Sequence, residues 1–432
     1  MTSSPLAPPA TPADLDASTD LVSTVDLAPP IDPAAPVGLA PPAEPTVALP
    51  AGAVRALVLA TLGFGVSSWA WALLSPLGPV LVERGTITDA SLVVAVPVLV
   101  GALGRVPIGA LTDRLGGRVM FTAVSLAAVV PVLLLGLVGQ DSLAGLLLGG
   151  LLLGIAGTAF AIGIPYVNSW FPPSRRGMAT GIYGASMGGT AIAAFTTVPL
   201  VRAGGEAAPF LVAAAALVAF AAVAATSMRT APTWRPAVGD PARATAAALR
   251  LAVTWQASAL YALSFGGYVA FSVFLPTLLV RWYGLEPGEA ALRTAGFVVM
   301  AVLLRPLGGV LSDRFTAART LLVSYAALTL AAAVLALHPP LAPTGTLALL
   351  LAAGALGLGA GAVFALVARV APAGEIGAVT GVVGAAGGLG GFVPPLLMAA
   401  AMQGLGSYAP ALALLLLAAV GAMVLTVRMS RR

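Results

Sequence analysis

The chain of 432 residues has no cysteine and one histidine, His338. Disulfides, thiolate nucleophiles and cysteine-bound metals are therefore excluded, and there is no imidazole cluster to hold a metal or relay protons. Lysine is missing too, all 21 basic residues being arginine. Charged residues of both signs make up only 9% of the chain, where a soluble domain carries about 25%. No nucleophile–base pair or phosphate-binding loop is visible, and the Gly-rich stretch GLGAGAVFAL lies inside an apolar run, where a dinucleotide reading fails on context. The composition thus points away from an enzyme, from any cofactor and from nucleic acid.

Apolar residues dominate, at 59% of the chain. A run able to cross ~30 Å of hydrocarbon as a helix recurs about every 30 residues. From Val54 onward these runs break at charges, Gly and Pro into twelve spans, so the fold class is an all-α integral membrane protein whose partner is the lipid bilayer. Residues 1–50 differ: they hold twelve prolines and six acids but no arginine. Such a segment cannot bury enough apolar surface to offset its ordering entropy, and it reads as a disordered tail. The longest later polar stretch, 229–250, carries Arg229, Arg235, Arg243 and Arg250. It separates an N-terminal six-helix bundle (51–228) from a C-terminal one (251–432).

An even number of spans places both termini on one side, and that side receives 15 arginines against 4 opposite. The positive-inside rule then predicts cytoplasmic termini in a bacterial inner membrane. The halves are also repeats at an offset of 200 positions. Arg105, Gly109, Asp113 and Arg114 recur as Arg305, Gly309, Asp313 and Arg314, and Thr180, Gly181, Gly184 and Gly188 as Thr380, Gly381, Gly384 and Gly388. Parallel repeats of six spans imply a transporter that rocks around a site at the interface of its halves.

Two arginines stand out chemically. Arg105 and Arg305 lie mid-span, where a charge costs at least ~2.5–3.5 kcal/mol, and no span contains a carboxylate near either. A pair of unneutralised guanidiniums related by the repeat makes a pocket for an anion. The planar donor fork of guanidinium suits a small planar oxyanion.

The segments GRVPIGALTDRLGGR (Gly104–Arg118) and RPLGGVLSDR (Arg305–Arg314) resemble the loop signature of the major facilitator superfamily. That resemblance implies gating roles for Asp113, Arg114, Asp313 and Arg314. A closer resemblance is to the nitrate/nitrite porter family of that superfamily. It is carried by GAVTGVVGAAGGLGGFVPP (Gly377–Pro395) and GMATGIYGASMGGTA (Gly177–Ala191), whose glycines Gly184, Gly188, Gly384, Gly387, Gly388 and Gly391 would let neighbouring helices approach and slide. It implies an anion site of Arg105 and Arg305 lined by Phe160, Tyr261 and Phe265, with Ser68 and Trp69 as further contributors. Family asparagines would fall at Gly188 and Ala360, so this chain has fewer amide donors for its substrate. With no embedded carboxylate or histidine, exchange of nitrate for nitrite by a monomer is the expected activity. An exchanger of formate or oxalate, or a receptor that transports nothing, is the alternative.

Overall fold

The computed structural model describes residues 49–430 apart from 88–90, 373, 392–393, 395–396, 399–400 and 402–403. All but the last two residues of the expected tail, together with Arg431 and Arg432, lie outside the described residues. Among the described residues, ten helices are long and apolar enough to cross a membrane. The first six spans are Ala53–Gly78, Val96–Leu115, Gly117–Leu137, Leu143–Trp170, Pro173–Gly204 and Ala208–Ser227. In the second half, the eighth, ninth, tenth and twelfth are Leu292–Arg314, Ala317–Ala336, Leu341–Val370 and Ala409–Ser430. The seventh is a bent pair, Ala252–Ser272 with Phe274–Tyr283, and the eleventh is the shorter apolar helix Ile376–Gly390. These make twelve spans in two halves of six, and no strand occurs among the described residues.

Span ends follow local chemistry. Ser142 and Thr316 accept hydrogen bonds from the backbone N–H of Gly145 and Arg319, capping the fourth and ninth spans. Gly116, at φ +82°, turns the chain between the second and third spans in a conformation that disfavours any side chain. Large apolar side chains such as Val130, Phe195, Leu303 and Leu417 are exposed around the outside. In water so much exposed apolar surface would drive aggregation, whereas it suits the hydrocarbon of a bilayer.

The halves meet along two seams, the second span against the eleventh and the fifth against the eighth. Backbones touch there. A methyl group on Gly109 would run into the carbonyl of Gly377, and one on Gly309 into that of Gly177, so only glycine allows this approach.

The polar stretch 229–250 is more than a loop. Asp240 caps, and Pro241 starts, an alanine-rich helix, Pro241–Arg250, that lies against the second and eleventh spans. Ahead of it the backbone is stitched to the N-terminal half by Tyr166 to the Arg229 carbonyl (3.0 Å), Thr233 to the Ser169 carbonyl (2.9 Å), and the Ala237 N–H to the Asp113 carbonyl (2.9 Å).

Candidate functional site

The second and eighth spans carry Arg105 and Arg305 to the seam, each only 3% exposed. Their surroundings offer carbonyl oxygens and aromatic faces rather than carboxylates. Arg105 donates from Nε to the Gly157 carbonyl (3.2 Å) and from Nη1 across the seam to the Gly384 carbonyl (2.8 Å). Arg305 donates from Nη1 across the seam to the Gly184 carbonyl (3.0 Å). The Nε and Nη2 of Arg305 are buried with no hydrogen-bond partner among the described residues. These two donors form one edge of the guanidinium fork, the edge that grips an oxyanion by two parallel bonds.

Phe265 of the seventh span sits against both guanidiniums, its ring centroid 5.7 Å from Cζ of Arg105 and 5.3 Å from Cζ of Arg305. Phe160 lies 5.1 Å from Arg105 on the same measure. Tyr261 and Phe265 are stacked at 5.1 Å, and Tyr261 also stacks on Phe160 at 6.1 Å, so one aromatic wall runs from the fourth span to the seventh. Ring faces attract guanidinium through their quadrupoles, most strongly away from water. All five residues expected from the sequence, Arg105, Arg305, Phe160, Tyr261 and Phe265, are thus neighbours.

At the arginine-rich end, each seam is fastened by an aspartate. The Asp113 carboxylate accepts from the backbone N–H groups of Gly377 and Ala378, both at 3.0 Å. That of Asp313 accepts from Gly177 (2.9 Å) and Met178 (2.6 Å). Each carboxylate caps the start of a helix in the opposite half, where backbone donors are unsatisfied and the helix dipole favours negative charge. The adjacent Arg114 and Arg314 are exposed instead, Arg314 lying over its neighbour Phe315. Arg369 approaches Asp313 at 3.9 Å.

These features have counterparts in known proteins. Residues 60–395 match the model of the Major Facilitator Superfamily. The chain is 46% identical over 352 residues to a Mycobacterium tuberculosis (strain ATCC 25618 / H37Rv) protein named "Probable nitrate/nitrite transporter NarK2", covering 81% of this chain and 89% of that one. It is 35% identical over 322 residues to the "Nitrite extrusion protein" of Bacillus subtilis (strain 168), covering 74% and 80%. The chain belongs to the major facilitator superfamily. Within that superfamily it is a member of the nitrate/nitrite porter family and a multi-pass membrane transporter. The fold agrees with solved structures of the superfamily: the human organic anion transporter MFSD10 superposes with a TM-score of 0.74 at 16% identity, over 87% of this chain and 99% of that one. FucP in its outward conformation gives 0.71 at 16% identity, over 87% and 98%.

The signature glycines of this porter divide into two groups. In the eleventh span a Cβ on Gly387 would strike the Tyr261 ring and one on Gly388 would come within 2.6 Å of the Ala102 Cβ, while one on Gly391, which caps that span, would come within 2.8 Å of Val269. Gly384 has Arg105 and Phe160 at 3.2 and 3.4 Å. In the fifth span, Gly184 and Gly188 have nothing closer than 3.9 and 3.8 Å, so close helix approach does not account for them. Ser68 bonds to the Ser186 carbonyl (3.1 Å), joining the first and fifth spans. Trp69 lines an outer cleft with Ile192 and Phe195.

Tyr268 was not anticipated: its ring centroid is 4.7 Å from Cζ of Arg305. The signal was present, since Tyr261, Phe265 and Tyr268 follow the i, i+4, i+7 spacing of one helix face. Phe364, which meets Phe160 and Tyr261 edge-on at 5.0 and 4.6 Å, comes from the tenth span and has no such local mark.

Proposed function

We propose that this porter exchanges nitrate for nitrite across the bacterial cytoplasmic membrane, binding the anion between Arg105 and Arg305. The observation that carries this reading is the unpartnered Nε–Nη2 edge of Arg305, buried beside a second guanidinium with no carboxylate among the described residues to neutralise either. The names of the relatives point to the same substrates, and one from Thermus thermophilus, 36% identical over 298 residues, is named "Probable nitrate/nitrite antiporter NarK1".

Exchange follows from charge. Two guanidiniums in a low-dielectric seam repel one another, and a bound anion relieves that repulsion. The loaded carrier therefore reorients readily, whereas the unloaded one is held back. Asp113 and Asp313, fastened to helix N-termini, serve as the gate that opens and closes on the cytoplasmic side. The 15-to-4 arginine bias supports placing both termini there. One chain supplies both arginines, so the working unit is a monomer.

The test is uptake of labelled nitrate by proteoliposomes preloaded with nitrite, nitrate, formate or nothing. Exchange requires uptake with internal nitrite or nitrate and none without. Uptake driven by acidification alone would overturn exchange. Strong competition by formate or oxalate, with no nitrate flux, would replace nitrate by a small organic anion as the substrate.

A further inference from the structure

The seventh span changes its winding where it meets the arginines. Residues Ala262–Gly266 form a π-turn between the α-helical stretches Ala252–Tyr261 and Gly267–Tyr283. Such a turn holds one residue more than an α-turn and occurs frequently at functional sites. Here it sets the direction of Phe265, which lies within it, relative to Tyr261, which precedes it. An α-helical winding would rotate everything beyond the turn by roughly 100°, one residue's share of a 3.6-residue turn.

The turn is braced from behind. Tyr325 of the ninth span is fully buried, and its hydroxyl donates to the Leu260 carbonyl at 2.9 Å. Ser264, inside the turn, reaches the same carbonyl at 3.0 Å and the Tyr325 oxygen at 2.9 Å. Three oxygens from two spans thus close a triangle around the start of the π-turn. Gly359 of the tenth span leaves the room, since a Cβ there would lie 2.7 Å from the Ser264 hydroxyl. The neighbouring Ser324 bonds elsewhere, to the Ala355 carbonyl at 2.6 Å. The ninth span therefore carries two adjacent hydroxyls of different use, one tying it to the tenth span and one holding the turn.

We propose that Tyr325, which touches neither arginine, is a positioning residue for the anion site: its hydroxyl holds the π-turn that keeps Phe265 against both guanidiniums. The consequence for transport rests on the two-arginine site proposed above, but the brace itself does not. The substitution Tyr325→Phe removes one oxygen and leaves the Leu260 carbonyl paired with Ser264, so the variant retains its packing.

Two measurements on full-length protein test this, with Ser324→Ala as the control for a merely structural role of the ninth span. The first is amide hydrogen exchange in lipid nanodiscs, a readout independent of any substrate. Tyr325→Phe should speed exchange across 260–266, and Ser324→Ala should not. The second is the concentration dependence of nitrate uptake. Tyr325→Phe should raise KM about fivefold, the equivalent of one neutral hydrogen bond, with kcat changed far less. Unchanged exchange in Tyr325→Phe, or equal acceleration in both variants, would overturn the brace. Faster exchange with an unchanged KM would overturn its role in the site. If wild-type protein carries no nitrate, the substrate reading falls, while the exchange comparison still decides whether Tyr325 holds the turn.

Discussion

Arg105 donates a hydrogen bond across the seam to the carbonyl of Gly384, and the repeat converts this pair into Arg305 and Gly184. Each half thus supplies a cation to the other half's Gly-rich helix. The equivalence is incomplete, however. Arg105 uses Nε on Gly157, whereas the Nε of Arg305 is free. In the proposed anion site, Arg305 is therefore the arginine with a complete fork edge to offer.

Arg305→Lys retains the charge and loses that fork. It should weaken nitrate binding about ten- to a hundredfold, the equivalent of one charge-assisted hydrogen bond at ~1.5–3 kcal/mol. Proteoliposome uptake across nitrate concentrations measures the change. An Arg305→Lys variant with wild-type KM would remove the fork from the site.

Phe265 is the one ring within 6 Å of both guanidiniums among the described residues. Phe265→Leu should raise KM about five- to thirtyfold, given ~1–2 kcal/mol for a desolvated cation–π contact. Phe364→Leu is the comparison, because Phe364 meets Phe160 and Tyr261 but neither arginine. Equal effects from the two would mean that bulk alone matters.

Asp113→Ala removes two bonds to the start of the eleventh span and leaves the backbone N–H groups of Gly377 and Ala378 without their carboxylate. The second–eleventh seam should part at its arginine-rich end, by a population shift of about tenfold or more. Because the chain has no native cysteine, spin labels can be placed directly at Leu115→Cys and Val370→Cys, two exposed positions in opposite halves. Longer label separations in the Asp113→Ala background are expected. An unchanged distribution would mean that the aspartate does not fasten the seam.

The glycines make a paired prediction. Gly387→Ala drives a methyl into the Tyr261 ring and should abolish most transport. Gly188→Ala meets only Val302 at 3.8 Å and lies in helical backbone. It should raise stability by about 0.5–1 kcal/mol, through the loss of glycine's freedom in the unfolded chain. Thermal melts and uptake of both variants decide this.

Much of the architecture was legible because its signals are local or repeated. Apolar run length marked the spans, and the 200-residue offset exposed the halves. Arg105 and Arg305 stood out because charge is costly in lipid. What they bond to was not legible, since a carbonyl oxygen belongs to every residue and leaves no mark in the sequence. Asp113 and Asp313 were singled out, but with their neighbouring arginines. That backbone N–H groups would hold them follows only from the helix starts on the facing half. The π-turn was hidden for another reason: it shifts the helical phase, and a span that is apolar on nearly every side shows no phase to shift. The helix Pro241–Arg250 was masked by its short length and its arginines, which read as plain solvated loop.

That linker helix breaks the equality of the two seams. It is covalently joined to both halves and lies across the second and eleventh spans. The fifth and eighth spans meet with no such crossing piece among the described residues. As machinery, then, both edges are latched by an aspartate, but only one carries a strap as well. Any rotation of the halves would be tethered on the strapped side by this helix and would meet no such tether at the fifth–eighth edge, so near-duplicate halves need not part symmetrically.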